Sequence, residues 1–376
     1  MVHNLYIHIP FCIRKCAYCD FYSIPLPGAS SGEEARSYVD ALMREIRLRG
    51  NDARGLRTVY LGGGTPSLLR AADIERVLNA LDVHYGVDRE AEITIEANPG
   101  TVTAESLRLF RGAGINRLSI GVQSMDQREL EVLGRRHTAE AGYRAVDAAR
   151  AAGFDNVSLD LIYGIPGQNR AQWMQTVARI IALEPEHISA YELTPEKNTP
   201  LFASLEKGSL VMPGEEEITA MYYDALDAFG AAGYFHYEIS NFARPGRQCF
   251  HNLNYWNRGT YLGIGAGAHS FAQGRRTANA ADVHAYINRL DHDELPVAEE
   301  TAISESDAFK EWIFLGLRKT EGIDPGEVPG GEALVNDEAA EELLLRGLVE
   351  LSGHRLRLTR QGLVLSSEVM VRLLKD

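Results

Sequence analysis

The chain of 376 residues is 45% hydrophobic and 24% charged, enough apolar content for a large core shared among two or three domains, which excludes a disordered or fibrous protein. With 38 Lys and Arg against 52 Asp and Glu the formal net charge is −14, and no basic block offsets it, so non-specific binding to nucleic acid or anionic lipid is disfavoured. Met1 to Pro10 lacks a basic region followed by an apolar run, and no stretch approaches the ~18 apolar residues that cross a bilayer, so the expectation is a cytoplasmic protein with at most peripheral membrane contact.

From Leu5 to Glu192 short β-branched runs alternate with longer helical patterns, as repeated βα units around a parallel sheet require. Strands are expected at Leu5 to Ile9, Thr58 to Leu61, Glu92 to Glu96, Arg117 to Gly121, Asn156 to Leu161 and His187 to Glu192. Between the first two, Val39, Leu42, Met43 and Ile46 recur at the spacing of a helix face packed on a sheet. Similar patterns recur near Ile74 to Leu81, Ala141 to Ala152 and Gln172 to Leu183. Such units build either an open α/β sheet or a partial (β/α)6 barrel resembling a TIM barrel, and periodicity alone leaves the choice open.

Polar and glycine residues gather at the carboxyl ends of these strands: Gly62, Gly63 and Gly64 after the second, Glu96 ending the third, Gln123 after the fourth, Asp160 near the end of the fifth, and Tyr191 and Glu192 ending the sixth. Each alone reads equally as a helix cap or solvated loop. Their recurrence at one rim favours a single site assembled from distant segments.

After about residue 200 the period breaks into an acidic helix, Glu215 to Ala228, and the aromatic-rich stretch Tyr234 to Phe271. From about Ser304, helical patterns at Asp307 to Leu317 and Asp337 to Arg346 precede a strand-turn-strand over Leu348 to Leu358 and a closing helix. That order resembles a small winged-helix α+β module. Asp337, Glu338, Glu341 and Glu342 would repel phosphates, so structural or partner-docking use is expected in place of DNA binding. The resulting division is 1–232 for the barrel, 233–303 for an associated region and 304–376 for the module.

Cys12-x3-Cys16-x2-Cys19 follows the first strand directly, and the remaining cysteine, Cys249, is remote. A disulfide would strand a third thiol in a reducing compartment, and a structural zinc site lacks a fourth ligand. An iron–sulfur cluster held by three thiolates leaves one iron free for a small molecule. Cys249 reads as a small buried hydrophobe, with a thiolate ligand as the alternative.

With the glycine-rich turn after strand two, this spacing resembles the radical S-adenosylmethionine superfamily. The resemblance implies a [4Fe-4S] cluster on Cys12, Cys16 and Cys19 that binds the methionine moiety of S-adenosylmethionine and, once reduced, yields a 5'-deoxyadenosyl radical. The segments Tyr6 to Cys12, Gly62 to Ser67, Glu96-Ala97-Asn98-Pro99, Gly121 to Ser124 and Asp160 to Gly167 are similar to the oxygen-independent coproporphyrinogen III oxidases and their relatives, the HemW heme chaperones. Carried over motif by motif, the resemblance implies that Tyr6, Tyr18, Gly63, Gly64, Thr65, Glu96, Gln123, Arg135, Asp160 and Thr194 contact S-adenosylmethionine. It is chemically coherent: Glu96 and Asp160 can accept from hydroxyl or amino groups, Arg135 can pair with a carboxylate, and Tyr6 and His8 share a strand face.

Two departures separate the chain from the oxidases. Their pattern continues to a fourth cysteine where this chain has Asp20-Phe21, and the chain starts only a few residues before strand one, without the oxidases' preceding extension. Decarboxylation of porphyrinogen propionates is therefore the alternative, and heme carriage the favoured expectation. His251-Asn252-Leu253-Asn254-Tyr255-Trp256 matches the His-Asn-x-x-Tyr-Trp motif of the HemW group, which implies His251 as an axial heme ligand beside packed aromatics; the competing reading is a His and two aromatics that roof the barrel. Acceptor hemoproteins such as respiratory enzymes and a low-potential flavodoxin- or ferredoxin-type electron donor are the implied partners. Gly263-Ile264-Gly265-Ala266-Gly267 lacks the βαβ context of a dinucleotide fingerprint and is expected to be a tight loop near the adenosine.

Overall fold

Alternation along the first strand sets up the architecture. In β1 (Val2–Ile9), Leu5, Ile7 and Ile9 are at most 1% exposed within the apolar core, while Asn4, Tyr6 and His8 turn to the opposite, polar face. The computed structural model describes residues 1–26, 31–335 and 337–374. Five further parallel strands succeed it: β2 (Ala53–Gly63), β3 (Val87–Ala97), β4 (Arg117–Gln123), β5 (Val157–Tyr163) and β6 (His187–Glu192). All six lie where the hydrophobic pattern places them, with β2 and β3 extended at both ends. Between them, α1 (Ser31–Leu48), α2 (Ala71–Tyr85), α3 (Ala104–Gly112), α4 (Ala139–Ala151) and α5 (Arg170–Ala182) cover the outer face. On α1 the expected stripe of Val39, Leu42 and Ile46 is fully buried. Helix α3, which apolar periodicity alone did not reveal, starts at a reciprocal cap between Thr103 and Ser106.

The elements beyond α6 (Glu215–Ala231) settle the choice between open sheet and partial barrel. Strand β8 (Asn241–Ala243) adds antiparallel to β6, β7 (Phe235–Glu238) pairs antiparallel with β8 at the edge, and β9 (Leu262–Ile264) adds parallel to β1. The order is β9-β1-β2-β3-β4-β5-β6-β8-β7, with no pairing between the two outer strands. The segment joining β8 to β9 crosses from one edge to the other and carries α7 (Phe250–Trp256). The sheet is thus a partial barrel whose lateral gap is filled by its own chain.

The glycine run at 263–267 runs from the sheet into a turn at 265–267. Its first half is β9, with Gly263 opposite Tyr6, and a Cβ on Gly263 would lie 2.0 Å from the His269 carbonyl oxygen. None of the run lines the cavity described below.

Beyond β9, strands β10 (His269–Ala272), β11 (Arg275–Asn279) and β12 (Val297–Ala302) form an antiparallel sheet, with α8 (Val283–Asp291) between the last two. The C-terminal module has the expected order: α9 (Glu305–Gly316), α10 (Glu338–Leu345), the hairpin β13 (Val349–Ser352) and β14 (Arg355–Leu358), then α11 (Arg360–Val364) and α12 (Ser366–Leu373). Arg258 and Arg276 both pair with Glu311 of α9, at 2.9 Å each. Among the described residues, no helix is long and apolar enough to cross a membrane.

One buried carboxylate ties the late elements to the barrel. Glu45 of α1 accepts hydrogen bonds from Arg49 Nε at 2.8 Å, Tyr286 Oη at 2.6 Å, Asn279 Nδ2 at 2.8 Å and the Gly265 backbone N–H at 2.9 Å. Removing a partner that compensates a buried charge costs about 3–5 kcal/mol. Glu45→Ala is expected to lower stability by about 3 kcal/mol in urea denaturation, with Glu45→Gln intermediate.

Candidate functional site

The loop after β1 is fastened on several sides before any side chain is considered. Leu26 N–H donates to the Cys12 carbonyl at 2.8 Å, Thr65 N–H to the Phe11 carbonyl at 2.7 Å, Ala17 N–H to the Leu133 carbonyl at 3.0 Å, and Leu201 N–H to the Ala17 carbonyl at 2.9 Å. Loops after four different strands thus meet at the carboxyl rim, where they enclose a cavity of about 560 Å³. Cys12, Cys16 and Cys19 all line it, as do Tyr18, Gly63, Gly64 and Thr65. From the later units come Glu96, Gln123, Arg135, Asp160 and Thr194.

A hydrogen-bonded relay connects two of the thiols. Thr65 Oγ1 donates to Cys12 Sγ at 3.6 Å and accepts from Asn98 Nδ2 at 2.9 Å. Asn98 Oδ1 accepts from Arg135 Nη2 at 2.6 Å, and Arg135 Nη1 reaches Cys16 Sγ at 3.3 Å. Burial pushes the Cys12 and Cys19 thiols up, opposed at Cys12 by the Thr65 hydroxyl. A bound cation or cluster would reverse that preference, because coordination deprotonates a thiol. Among the described residues no three His, Cys, Asp or Glu side chains group closely enough to hold one metal ion.

The turn after β2 is glycine for steric reasons. Gly63 has φ +110°, and a Cβ there would come within 2.6 Å of the His8 ring; at Gly64 it would lie 2.6 Å from the Phe11 carbonyl oxygen. Close packing on β1 leaves the bare backbone on the cavity wall. Gln123 adopts a left-handed φ of +66°, a conformation that costs a side-chain-bearing residue energy and clusters at functional sites.

Deeper in the cavity lie two carboxyls. Glu96 accepts from Tyr60 Oη at 2.8 Å and from the Gly63 N–H at 3.2 Å; Asp160 accepts from Ser119 Oγ at 2.9 Å and Ser158 Oγ at 3.1 Å. Burial raises the pKa of Asp160 against these hydrogen bonds. Arg117, only 2% exposed, lines the floor; its side chain makes no hydrogen bond or ion pair with any described residue, and its buried Nε has no partner. Arg117, Ser119 and Tyr60 are cavity residues that motif reading did not reach, and Asn98 and Asn252, inside the motifs read from the sequence, also line it. The signal was there in part: strict alternation in Arg117-Leu118-Ser119-Ile120-Gly121-Val122-Gln123 puts every second residue on one face.

Tyr6 and His251, also expected at the site, are not among the residues lining this cavity. Tyr6 shares its face with His8, and its hydroxyl meets His8 Nδ1 at 3.0 Å, but it does not line the cavity; Gly62 and Tyr60 lie between, with the Tyr60 ring stacked on it. His251 is 1% exposed, and both ring nitrogens are engaged, Nδ1 with Thr58 Oγ1 at 2.7 Å and Nε2 with Tyr255 Oη at 3.0 Å. Burial and the Arg117 charge push its pKa down to about 3, so the ring is neutral and stacked on Tyr60. In this structure the expected heme-ligating imidazole is therefore engaged inside the barrel gap, with neither ring nitrogen turned to the cavity. Trp256 also packs internally, beneath the Arg318 guanidinium at 4.4 Å. Cys249 is fully buried, and burial pushes its thiol up to about 12.

Comparison with known proteins places this geometry. The family model of the radical SAM superfamily matches residues 6–180, and that of the HemN C-terminal domain matches residues 303–365. The heme chaperone HemW of Lactococcus lactis is 33% identical over 100% of this chain and 98% of its own length. HemW of Escherichia coli is 41% identical over 72% of this chain and 71% of its own. Among solved structures, the radical SAM enzyme coproporphyrinogen III oxidase (HemN) of Escherichia coli superposes with a TM-score of 0.85 at 24% identity, over 98% of this chain and 89% of that one, a likeness of fold.

Burial, assisted by the Asp160 charge, pushes the Glu96 carboxyl up to about 7 against the Tyr60 hydrogen bond, whereas in the unfolded chain it titrates near ~4.3. Between those values only the unfolded chain ionises, so stability falls as pH rises and the loss is complete above about 7. Glu96→Gln keeps an acceptor for Tyr60 and carries no charge. In cofactor-free protein its thermal stability is expected to match the parent near pH ~4 and to exceed it by about 1–2 kcal/mol above pH ~7.

Proposed function

The chain belongs to the radical SAM superfamily and, within it, to the HemW heme-chaperone family, and from that premise we propose that it binds heme and passes it to acceptor hemoproteins, respiratory enzymes among them. In this reading Cys12, Cys16 and Cys19 hold a [4Fe-4S] cluster, and the cavity behind them takes S-adenosylmethionine. When bound, such a cluster supplies a low-potential electron to the sulfonium, drawn from a flavodoxin- or ferredoxin-type donor. The chain's own residues have defined tasks. Arg135 sets an N–H against Cys16 and, through Asn98 and Thr65, steadies Cys12. Glu96 and Asp160 accept from amino or hydroxyl groups of the cofactor, and the backbone at Gly63 and Gly64 meets it without interference from side chains. Tyr18, Gln123 and Thr194 complete the wall. We place the protein in the cytoplasm, with domains at 1–232, 233–303 and 304–376.

The observation that carries heme transport over porphyrinogen decarboxylation is Phe21. It occupies the place of the oxidases' fourth thiol and is 71% exposed on the cavity rim. A bulky apolar ring held in water at the mouth suits a surface that receives an apolar cargo.

Anaerobically reconstituted protein is expected to be brown, to develop a Soret band with heme, and to form no protoporphyrinogen from coproporphyrinogen III under reducing conditions. Turnover of coproporphyrinogen would overturn the chaperone reading. Cys12→Ser is expected to abolish the iron–sulfur absorbance and leave the fold intact by circular dichroism.

A further inference from the structure

The motif that sets the family apart offers no free heme ligand here, because both nitrogens of His251 are bonded inside the barrel. The other departure from the oxidases lies at the surface. Phe21 is 71% exposed and Ile13 45% exposed, on the cysteine loop. Beside them, exposed Arg14 and Lys15 line the same cavity mouth, and neither pairs with a carboxylate among the described residues. In a chain of net charge −14, two cations unpaired among the described residues, on the same rim as an exposed aromatic, are a local reversal. Asp20 and Glu196 stand on the same rim, so the positive side is confined to the turn between Cys12 and Cys16.

A flat apolar macrocycle that carries two carboxylates on one edge is complementary to this arrangement. We propose that heme seats on the rim of the cavity, with the Phe21 ring against the porphyrin face and the propionates paired with Arg14 and Lys15. This deepens the heme-chaperone reading and rests on it. An aromatic ring stacks in offset on an extended π-system, and a guanidinium binds a carboxylate through paired N–H donors. The seat lies directly over the cysteine loop. Occupation of the cluster and the cavity therefore bears on heme retention through residues four or fewer positions from a cysteine. The cargo is held chiefly by its ring and carboxylates, so iron is not required for binding.

The test is a titration of the cluster-reconstituted protein with heme, with metal-free protoporphyrin IX and with its dimethyl ester, in samples matched for iron content and circular dichroism. The parent is expected to bind heme and protoporphyrin IX with dissociation constants within a few-fold of each other, and the ester at least tenfold more weakly. Phe21→Ser and the charge reversal Arg14→Glu/Lys15→Glu should each weaken both free-acid porphyrins at least tenfold, whereas His251→Gln leaves protoporphyrin IX unchanged. If the rim variants bind as the parent does, or His251→Gln alone abolishes binding, the seat is elsewhere and the proposal fails while the chaperone reading stands. If rim variants bind porphyrin normally but fail to deliver heme to an acceptor, the rim is a protein-docking face and the proposal is likewise overturned. A parent that binds neither heme nor porphyrin removes the chaperone reading itself.

Discussion

The Glu92 carboxylate is the constraint on which the interior depends. It sits on the polar face of β3, 8% exposed, and accepts the backbone N–H groups of Phe250 and His251 at 3.0 Å each and the Cys249 thiol at 3.6 Å. A carboxylate satisfied by backbone N–H groups at the start of a helix is strongly held, since both the hydrogen bonds and the aligned peptide dipoles favour the negative charge. That contact sets the position of α7 in the gap between the outer strands β9 and β7. His251 is then delivered to Thr58 and Tyr60, and Asn252 to the cavity wall. A partial barrel without this plug would expose the inward faces of β1, β2 and β3, which carry Asn4, Thr58, Tyr60 and Thr94.

Charge is distributed through the barrel in layers. At the rim, thiols lie against Arg135; below them are Glu96 and Asp160; at the floor Arg117 lies near Glu92 and Cys249. The alternation of sign lets a low-dielectric interior contain several ionisable groups, because each has an opposite charge or a hydrogen-bond donor within reach. Arg117 is the exception in hydrogen bonding, and a buried guanidinium with a donor unmet is costly to the cofactor-free fold. Its alternate-residue neighbours Ser119, Gly121 and Gln123 all face the same cavity, so β4 contributes a continuous polar wall.

Phe21, after the third cysteine, and His251 of the His-Asn-x-x-Tyr-Trp segment have opposite fates in three dimensions. Phe21 is turned outward at the mouth, where an aromatic ring gains nothing from the core. His251, the residue that chemistry alone would choose as a metal ligand, is turned inward and neutralised by burial. In the proposed reading, the surface near the cysteine loop is where heme and the cluster would meet.

The parallel strands, the cysteine spacing and the glycine turn were legible in the chain because each rests on local rules: alternation for strands, consecutive ligands on one loop, and absent side chains where backbones approach. Those rules placed Gly63, Gly64, Glu96, Gln123, Asp160, Tyr191 and Glu192 at strand ends on one rim, and all line the cavity, while Tyr18, Thr65, Arg135 and Thr194 were expected only from the resemblance. Tertiary structure alone decided that β9 closes the sheet beside β1, that Gly263 to Gly267 is part of that closure and lies off the cavity, and that His251 spends both nitrogens on Thr58 and Tyr255. It also decided that Arg117 reaches the cavity floor unpartnered. The reason is common to these cases. Partners far apart in the chain, as Thr58 and His251 are at 193 positions, carry no periodic trace of one another, and the freedom of a ring nitrogen is a property of what packs against it.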